Sequence, residues 1–464
     1  DRAQHLTKAR VSLKYNWAIA PKTYCERRTP TEAQRASTSA RRTNGRAGSA
    51  CGKRDADRSS RSAGRVLHGF RSAVRPGSMG IVSLKIGTRR FTYDRKSLDA
   101  LRRRLVARVL GGIYRPIEST IRRNGELAGA SIRRIVVCRP NHRLGNALLL
   151  TPLILELERS FPDAKIDLVL GGGAGPAIFQ DYPTIGSIAC LPRYMVRHPL
   201  LIAGLAWKLR KARYDLAIDP CDGSQSGRLL LVIARALHSI GTKDFDSNRD
   251  PESQVEPAHL AQLPVFLLRN ALSPQAANTD DYPPLTLRLT SSERQKALTV
   301  LETLTHEHAQ PLSRATVGIF AGATGGKRFD AGWWSRFVGT LRAQHADVAI
   351  VELGSENGQT VLPSLLPSFF SPNIREAAAF ISNMQCFVSA DCGVMHLAAA
   401  SGATTVGLFS TTDPAKYEPY GRGSQAIDTN GKSPEEVAQL VASIVGAGGR
   451  EIPVNPAKAG WAQT

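Results

Sequence analysis

At 464 residues, 42% of them hydrophobic, the chain is long enough for two or three units with cores of their own. The formal net charge of +22 is confined to one end, with +13 in residues 1–78 and +9 in residues 79–133. The remainder from Arg134 is neutral, which argues against a charge-driven nucleic-acid role. The seven cysteines form no CxxC pair and no His/Cys ligand spacing, which argues against a disulfide framework and a structural zinc, and for a reducing compartment. No apolar run reaches the roughly 18 to 20 residues that span a bilayer, and no signal-peptide core opens the chain. A cytoplasmic protein is expected, soluble or peripheral on the inner face of the cytoplasmic membrane.

Residues 1–78 are rich in Arg, Ser, Ala, Thr and Gly without a helical or strand period, which predicts a disordered basic tail. Met79 is the first methionine, so the upstream stretch is either an over-extended reading frame or a native tail. Residues 79–132 are expected to form a basic helical extension. Leu98, Leu101, Leu105, Val109 and Ile113 fall at helical spacing, with Arg102, Arg103, Arg104 and Arg108 on the remaining surface. Segment 97–115 either lies on an anionic membrane surface or packs on the next domain with its basic face solvated. From Arg134, short β-rich runs alternate with helices, the pattern of parallel α/β architecture. A first lobe is predicted over 133–250, with strands at 135–138, 166–170 and 216–218 and helices at 147–160 and 228–238. A Pro-rich connection with a helix at 291–304 spans 251–312. A second lobe follows over 313–447, with strands at 317–320, 348–353, 386–389 and 406–409 and a helix at 333–344, before a tail at 448–464. Two such doubly wound lobes place a ligand cleft between their strand ends.

The run SADCGVMHLAAASGATTVGLFSTTDPAKYEPYG, residues 389–421, carries the chemistry. A strand ends at Ala390, Asp391-Cys392-Gly393 turns, and a small-residue helix starts near Val394. Unpaired N–H groups from Cys392 to Met395 and the helix dipole make an anion site there. Gly393 admits a phosphate close to the backbone, Asp391 either caps the helix or accepts from sugar hydroxyls, and His396 lies one turn in. Taken alone, an Asp-x-Gly-x-x-His run also fits a capped core helix with a buried histidine.

The neighbouring residues decide between these readings. Asp391, Gly393, His396-Leu397-Ala398-Ala399 and Thr412-Asp413-Pro414 closely resemble the C-terminal signature of glycosyltransferase family 9, the lipopolysaccharide heptosyltransferases. The resemblance covers roughly 133–445. It includes Gly145-Asn146 and Thr151-Pro152 after the first strand, the phrases at 161–167 and 214–219, and a glycine loop of Gly322, Ala323 and Thr324 leading to Lys327. It implies a GT-B-like α/β fold, two Rossmann-type lobes facing a central cleft, the first taking the acceptor and the second the nucleotide-sugar. Lys327 would contact the donor diphosphate as a point charge and Glu356 the ribose, although Phe329-Asp330 stands where the family has Trp-Pro. The implied activity is inverting, metal-independent transfer of a sugar, by default heptose from an ADP-linked donor, to a lipid-linked glycan acceptor, with no other cofactor. The carboxylate that would deprotonate the acceptor is replaced by Asn146, and an amide takes up no proton at neutral pH. His142, Asp219 and Asp222 are the substitute bases. Two rivals stand beside this reading: a nucleotide-sugar epimerase of the same fold, and a non-catalytic nucleotide-sugar binder.

Overall fold

The computed structural model describes residues 81–86, 89–94, 125–221, 224–241, 257–273, 275, 281–308, 315–355, 357–421 and 423–447. Both tails, the amphipathic segment 97–115, Asp222 and Glu356 lie outside these residues. Within the unit Arg28–Ile113, strands Ile81–Ile86 (β1) and Arg89–Asp94 (β2) pair antiparallel, from Ile81 opposite Asp94 to Ile86 opposite Arg89. Of the extension expected over 79–132, residues 81–94 form a β-hairpin, while the helix expected from Ser97 lies outside the described residues. IVSLKI and RRFTYD are rich in β-branched and aromatic residues, which favour pairing over helix.

The rest of the described chain belongs to a second unit. Its first lobe is a parallel five-stranded sheet of Arg134–Arg139 (β3), Lys165–Gly171 (β4), Ile185–Leu191 (β5), Leu216–Asp219 (β6) and His238–Gly241 (β7), in the order β5-β4-β3-β6-β7. Ile135, Val136, Val137 and Cys138 are all fully buried, as a strand covered on both faces requires. The helix expected at 147–160 is two helices, Leu144–Leu148 (α1) and Thr151–Ser160 (α2). Pro152 has no N–H to give the Leu148 carbonyl, and the Thr151 hydroxyl donates to that carbonyl instead, at 2.8 Å. Gly175–Ile178 (α3), Pro199–Ala212 (α4) and Gln225–Ala234 (α5) complete the lobe. The last starts earlier than predicted because the Ser224 hydroxyl caps the Gly227 N–H at 3.0 Å, and it stops where Arg235 turns left-handed.

The connection carries Leu263–Leu272 (α6) and Ser291–Glu307 (α7), the latter opened by a reciprocal Thr290/Glu293 capping box. In the second lobe, Thr316–Phe320 (β8), Ala349–Leu353 (β9), Ser368–Phe369 (β10), Cys386–Ala390 (β11), Thr404–Phe409 (β12) and Gln425–Asp428 (β13) form a parallel sheet in the order β10-β9-β8-β11-β12-β13. Ala331–Gln344 (α8), Ile374–Ile381 (α9), Gly393–Ser401 (α10), Pro414–Tyr417 (α11) and Pro434–Ala447 (α12) surround it.

One apolar cluster runs through both lobes, joining Leu153 and Phe179 of the first to Phe380, Phe387 and Leu397 of the second by way of Leu287. At its margin Arg375 of α9, 4% exposed, donates to Glu293 at 2.6 and 2.8 Å, to Asp181 of the first lobe at 2.6 Å and to the Leu287 carbonyl at 2.9 Å. Removing this cation strands two carboxylates and a carbonyl together. Arg375→Met is expected to cost about 2–4 kcal/mol in chemical denaturation, below the loss typical of a fully buried pair because Asp181 and Glu293 are partly exposed.

Candidate functional site

In doubly wound sheets ligands gather where the strand order reverses. Those points lie between β3 and β6 in the first lobe and between β8 and β11 in the second. Every described site residue predicted from sequence lies at or just after one of these four strand ends, apart from the loop after β9 that leads to Glu356.

In the second lobe, the Asp391 carboxylate is 5% exposed. Its Oδ2 pairs with the Lys327 ammonium and accepts from the Thr412 hydroxyl at 2.6 Å. Lys327 ends the turn Gly325–Lys327, where Gly325 has φ +70°, a conformation that favours glycine. Beside it, a Cβ on Gly326 would lie 3.7 Å from the Thr411 methyl carbon. The glycine loop, the lysine, the aspartate and the Thr-Asp-Pro turn therefore converge on one point. Ala323 is buried and Thr324 exposed, while Gly322 lies against the Phe320 ring, where a Cβ would come within 2.8 Å.

One expectation is corrected: Asp391 does not cap the following helix, because Lys327 and Thr412 hold its carboxylate and Cys392 is the N-cap residue. Burial pushes the Cys392 thiol up, with the Ser389 hydroxyl and the N–H groups of Met395 and Val394 pulling the other way, so it stays a thiol. Thr412, read from sequence only as part of a turn, is a partner of the Asp391 carboxylate. Asp413 and Pro414 make the turn itself, with Asp413 accepting from the Ala415 N–H at 3.1 Å. The departure at Phe329-Asp330 has a local role as well. Phe329 stacks on Trp333 at 4.3 Å, and Asp330 caps α8 through the Trp333 N–H at 2.8 Å. Buried Glu352 accepts from the N–H groups of Val361 and Leu362 at 2.7 and 2.9 Å and so shapes the loop that leads to Glu356.

The start of α10 meets the start of α1. A Cβ on Gly393 would lie 3.2 Å from the Leu144 Cβ, and one on Gly145 would lie 2.7 Å from the His396 ring. His396 is 4% exposed, and its Nδ1 has no hydrogen-bond partner among the described residues. Burial lowers its pKa to about 4; Asp391 raises it, while His259 and Lys327 lower it further. The ring is neutral at neutral pH and offers a hydrogen bond rather than a positive charge. His259 is neutral too: its Nδ1 accepts from the Ala261 N–H at 3.2 Å, so Nε2 donates to the Glu418 carbonyl at 2.9 Å.

On the first lobe, His142 is exposed, and a Cβ on Gly172 would lie 3.7 Å from its Nδ1. Burial, then Arg193, lowers its pKa, so the ring is free to accept a proton. Asn146 lies half-buried in α1. Asp219 is 2% exposed, accepts from the Cys221 N–H at 3.1 Å, and lies so close to the first turn of α5 that a Cβ on Gly227 would come within 2.3 Å of it. Sequence reasoning missed Arg139, the last residue of β3, which is 6% exposed with a buried Nε that has no hydrogen-bond partner among the described residues. A cation closing an otherwise apolar strand was the available signal. Among the described residues, no three His, Cys, Asp or Glu side chains gather to hold a metal, and no helix is long and apolar enough to cross a membrane.

The neutral burial of His396 sets a pH dependence. Its folded pKa is below its unfolded one, so the stability it confers is present above pH 6.5 and is lost as the pH falls toward about 4. The loss is on the order of 3 kcal/mol. Denaturant titrations across this window should show that fall, and His396→Gln should remove most of the slope; an unchanged slope would contradict the assignment.

The family model of glycosyltransferase family 9 (heptosyltransferase) matches residues 202–443. Lipopolysaccharide heptosyltransferase 3 of Escherichia coli is 24% identical over 300 residues, which cover 60% of this chain and 83% of that protein. Lipooligosaccharide heptosyltransferase 2 of Haemophilus influenzae matches with the same identity and coverage, 24%, 60% and 83%. Among solved structures, a family 9 glycosyl transferase of Veillonella parvula superimposes with a TM-score of 0.53 at 18% identity, over 69% of this chain and 99% of that one. The ADP-heptose lipopolysaccharide heptosyltransferase II of Escherichia coli does so with a TM-score of 0.50 at 17% identity, over 67% and 98%. These likenesses agree with the two-lobed GT-B fold expected from the sequence.

Proposed function

The chain belongs to glycosyltransferase family 9 and is a glycosyltransferase; from that premise we propose that it transfers heptose from an ADP-linked donor to a lipid-linked, lipopolysaccharide-type acceptor, inverting the sugar carbon without a metal ion. The observation that carries this reading is the convergence of Lys327, Asp391 and Thr412 at the switch point of the second lobe. The donor diphosphate would lie against the Lys327 ammonium and the first turn of α10, with Glu356 on the ribose. An acceptor oxygen attacks the anomeric carbon, the bond from that carbon to the diphosphate oxygen breaks, and Lys327 neutralises the charge that develops there. The acceptor proton passes to the neutral ring of His142, which replaces the carboxylate absent at Asn146. Arg139 would take an anionic group of the acceptor, because its buried Nε has no hydrogen-bond partner among the described residues. The membrane-borne acceptor implies a cytoplasmic enzyme working at the inner face of the membrane, with segment 97–115 a further contact.

Four measurements test the reading. Incubation with ADP-heptose and acceptor should give a product of inverted configuration in the presence of a chelator, whereas interconversion of the donor sugar without acceptor would overturn transfer. Lys327→Ala should lower kcat/KM by about 10²–10³-fold and weaken donor binding in calorimetry. His142→Ala should lower kcat by about 10²-fold with KM little changed. In the parent enzyme kcat should fall on an acid limb below pH 6.5, because only the unprotonated ring accepts a proton.

A further inference from the structure

Helix α4 buries Leu205 and Leu209 against the first lobe and turns its other face outward. That outer stripe is not polar. Leu200 is 88% and Trp207 60% exposed, with Ala203 and Gly204 between them and Lys211 continuing the line at helical spacing. Tyr194, 58% exposed, lies just before the helix, with the Arg197 guanidinium 5.0 Å from its ring, and Lys211 stands 4.8 Å from the Trp207 ring. Residues 192–213 hold six Lys or Arg and no Asp or Glu. The neutrality of the main body therefore conceals one strongly basic segment, and it is the segment that exposes an indole and a leucine.

A large apolar side chain left in water needs a reason when it belongs to a continuous stripe rather than standing singly. Apolar residues flanked by cations with an indole among them are the composition of a helix that lies in a bilayer interface: the acyl boundary takes the leucine, the headgroup level takes the tryptophan, and anionic headgroups take the cations. A protein partner of matching charge would need an acidic groove. A bilayer meets the pattern without further shape. The position agrees, because Arg193 at the start of this segment acts on the charge of His142, so the surface begins beside the acceptor loop. Near the other end of the helix, a depression lined by Arg210, Arg213 and Arg235, with Asp215 as its one carboxylate, adds further cations.

We propose that the outward face of Pro199–Ala212, with Tyr194 and Arg197 before it, is a docking surface for an anionic lipid bilayer. Docking by this face lays the first lobe on the membrane with its acceptor loop near the lipid surface. The inference goes beyond the transfer reading, and its test uses neither donor nor acceptor, so the two can fail separately.

The full chain is sedimented with vesicles of phosphatidylglycerol and phosphatidylcholine, and with phosphatidylcholine vesicles alone. Binding to the anionic vesicles, weakened by salt, is expected. Leu200→Glu with Trp207→Glu should reduce it by about tenfold or more. Lys208→Glu with Lys211→Glu should reduce it and flatten its salt dependence. Lys296→Glu, on exposed surface of α7, should leave it unchanged, and Leu200→Glu with Trp207→Glu should keep the parent melting temperature because those two side chains are exposed. No binding of the parent chain to anionic vesicles, or undiminished binding by Leu200→Glu/Trp207→Glu, overturns the proposal. So does a sedimentation-velocity result in which that double variant turns a dimer into a monomer without changing vesicle binding, since the face would then belong to a second copy.

Discussion

Two helix starts meet where neither carries a side chain. Gly145 and Gly393 bring the first turn of α1 against the first turn of α10, and the His396 ring fills the space that any Cβ at Gly145 would claim. Each lobe on its own is a doubly wound sheet with one switch point. The contact of the two glycines turns two half-sites into one cleft floor, and it sets the spacing between the loop after β3 and the loop after β11 to a backbone-to-backbone distance. Glycine is required here for close approach rather than for an unusual backbone angle.

The remaining cross-lobe structure supports that approach. The chain breaks between α1 and α2, and the Thr151 hydroxyl at the break also accepts from the Thr286 N–H of the connection at 3.2 Å. Arg375 ties the same connection to Asp181, and the Tyr182 hydroxyl donates to the Thr286 carbonyl at 2.8 Å. Bonds of this kind are directional, whereas the shared apolar cluster is not. The cluster favours contact between the lobes, and the hydrogen bonds choose which contact.

Contiguous features were readable from the sequence, and features assembled from distant residues were not. Asp391 to His396 form one short run, so the strand, turn and helix start were evident. That Lys327 and Thr412 both reach the Asp391 carboxylate depends on the sheet order, which no local pattern contains. An aspartate at a strand-helix turn usually caps the helix, and here a partner from another strand competes for it. Helix α4 went unseen because PLLIAGLAWKLRKA is apolar on its outer face as well as its inner one, which erases the helical period. The edge strands β5 and β13 were missed since mixed burial weakens the signal of a covered strand. Gly145 and Asn146 discourage helix locally, and packing against α10 overrides them.

The pairing of Lys327 with Asp391 also bears on selectivity. The lysine is already paired and already held in place, so an incoming anion would share the ammonium with a carboxylate anchored by Thr412. A small free anion brings nothing to offset that competition. A larger ligand does, if its other parts find contacts elsewhere in the cleft, and the side-chain ordering it would otherwise have to impose is complete before it arrives. On the proposed reading, such a site would favour a phosphate carried by a larger molecule over a free one.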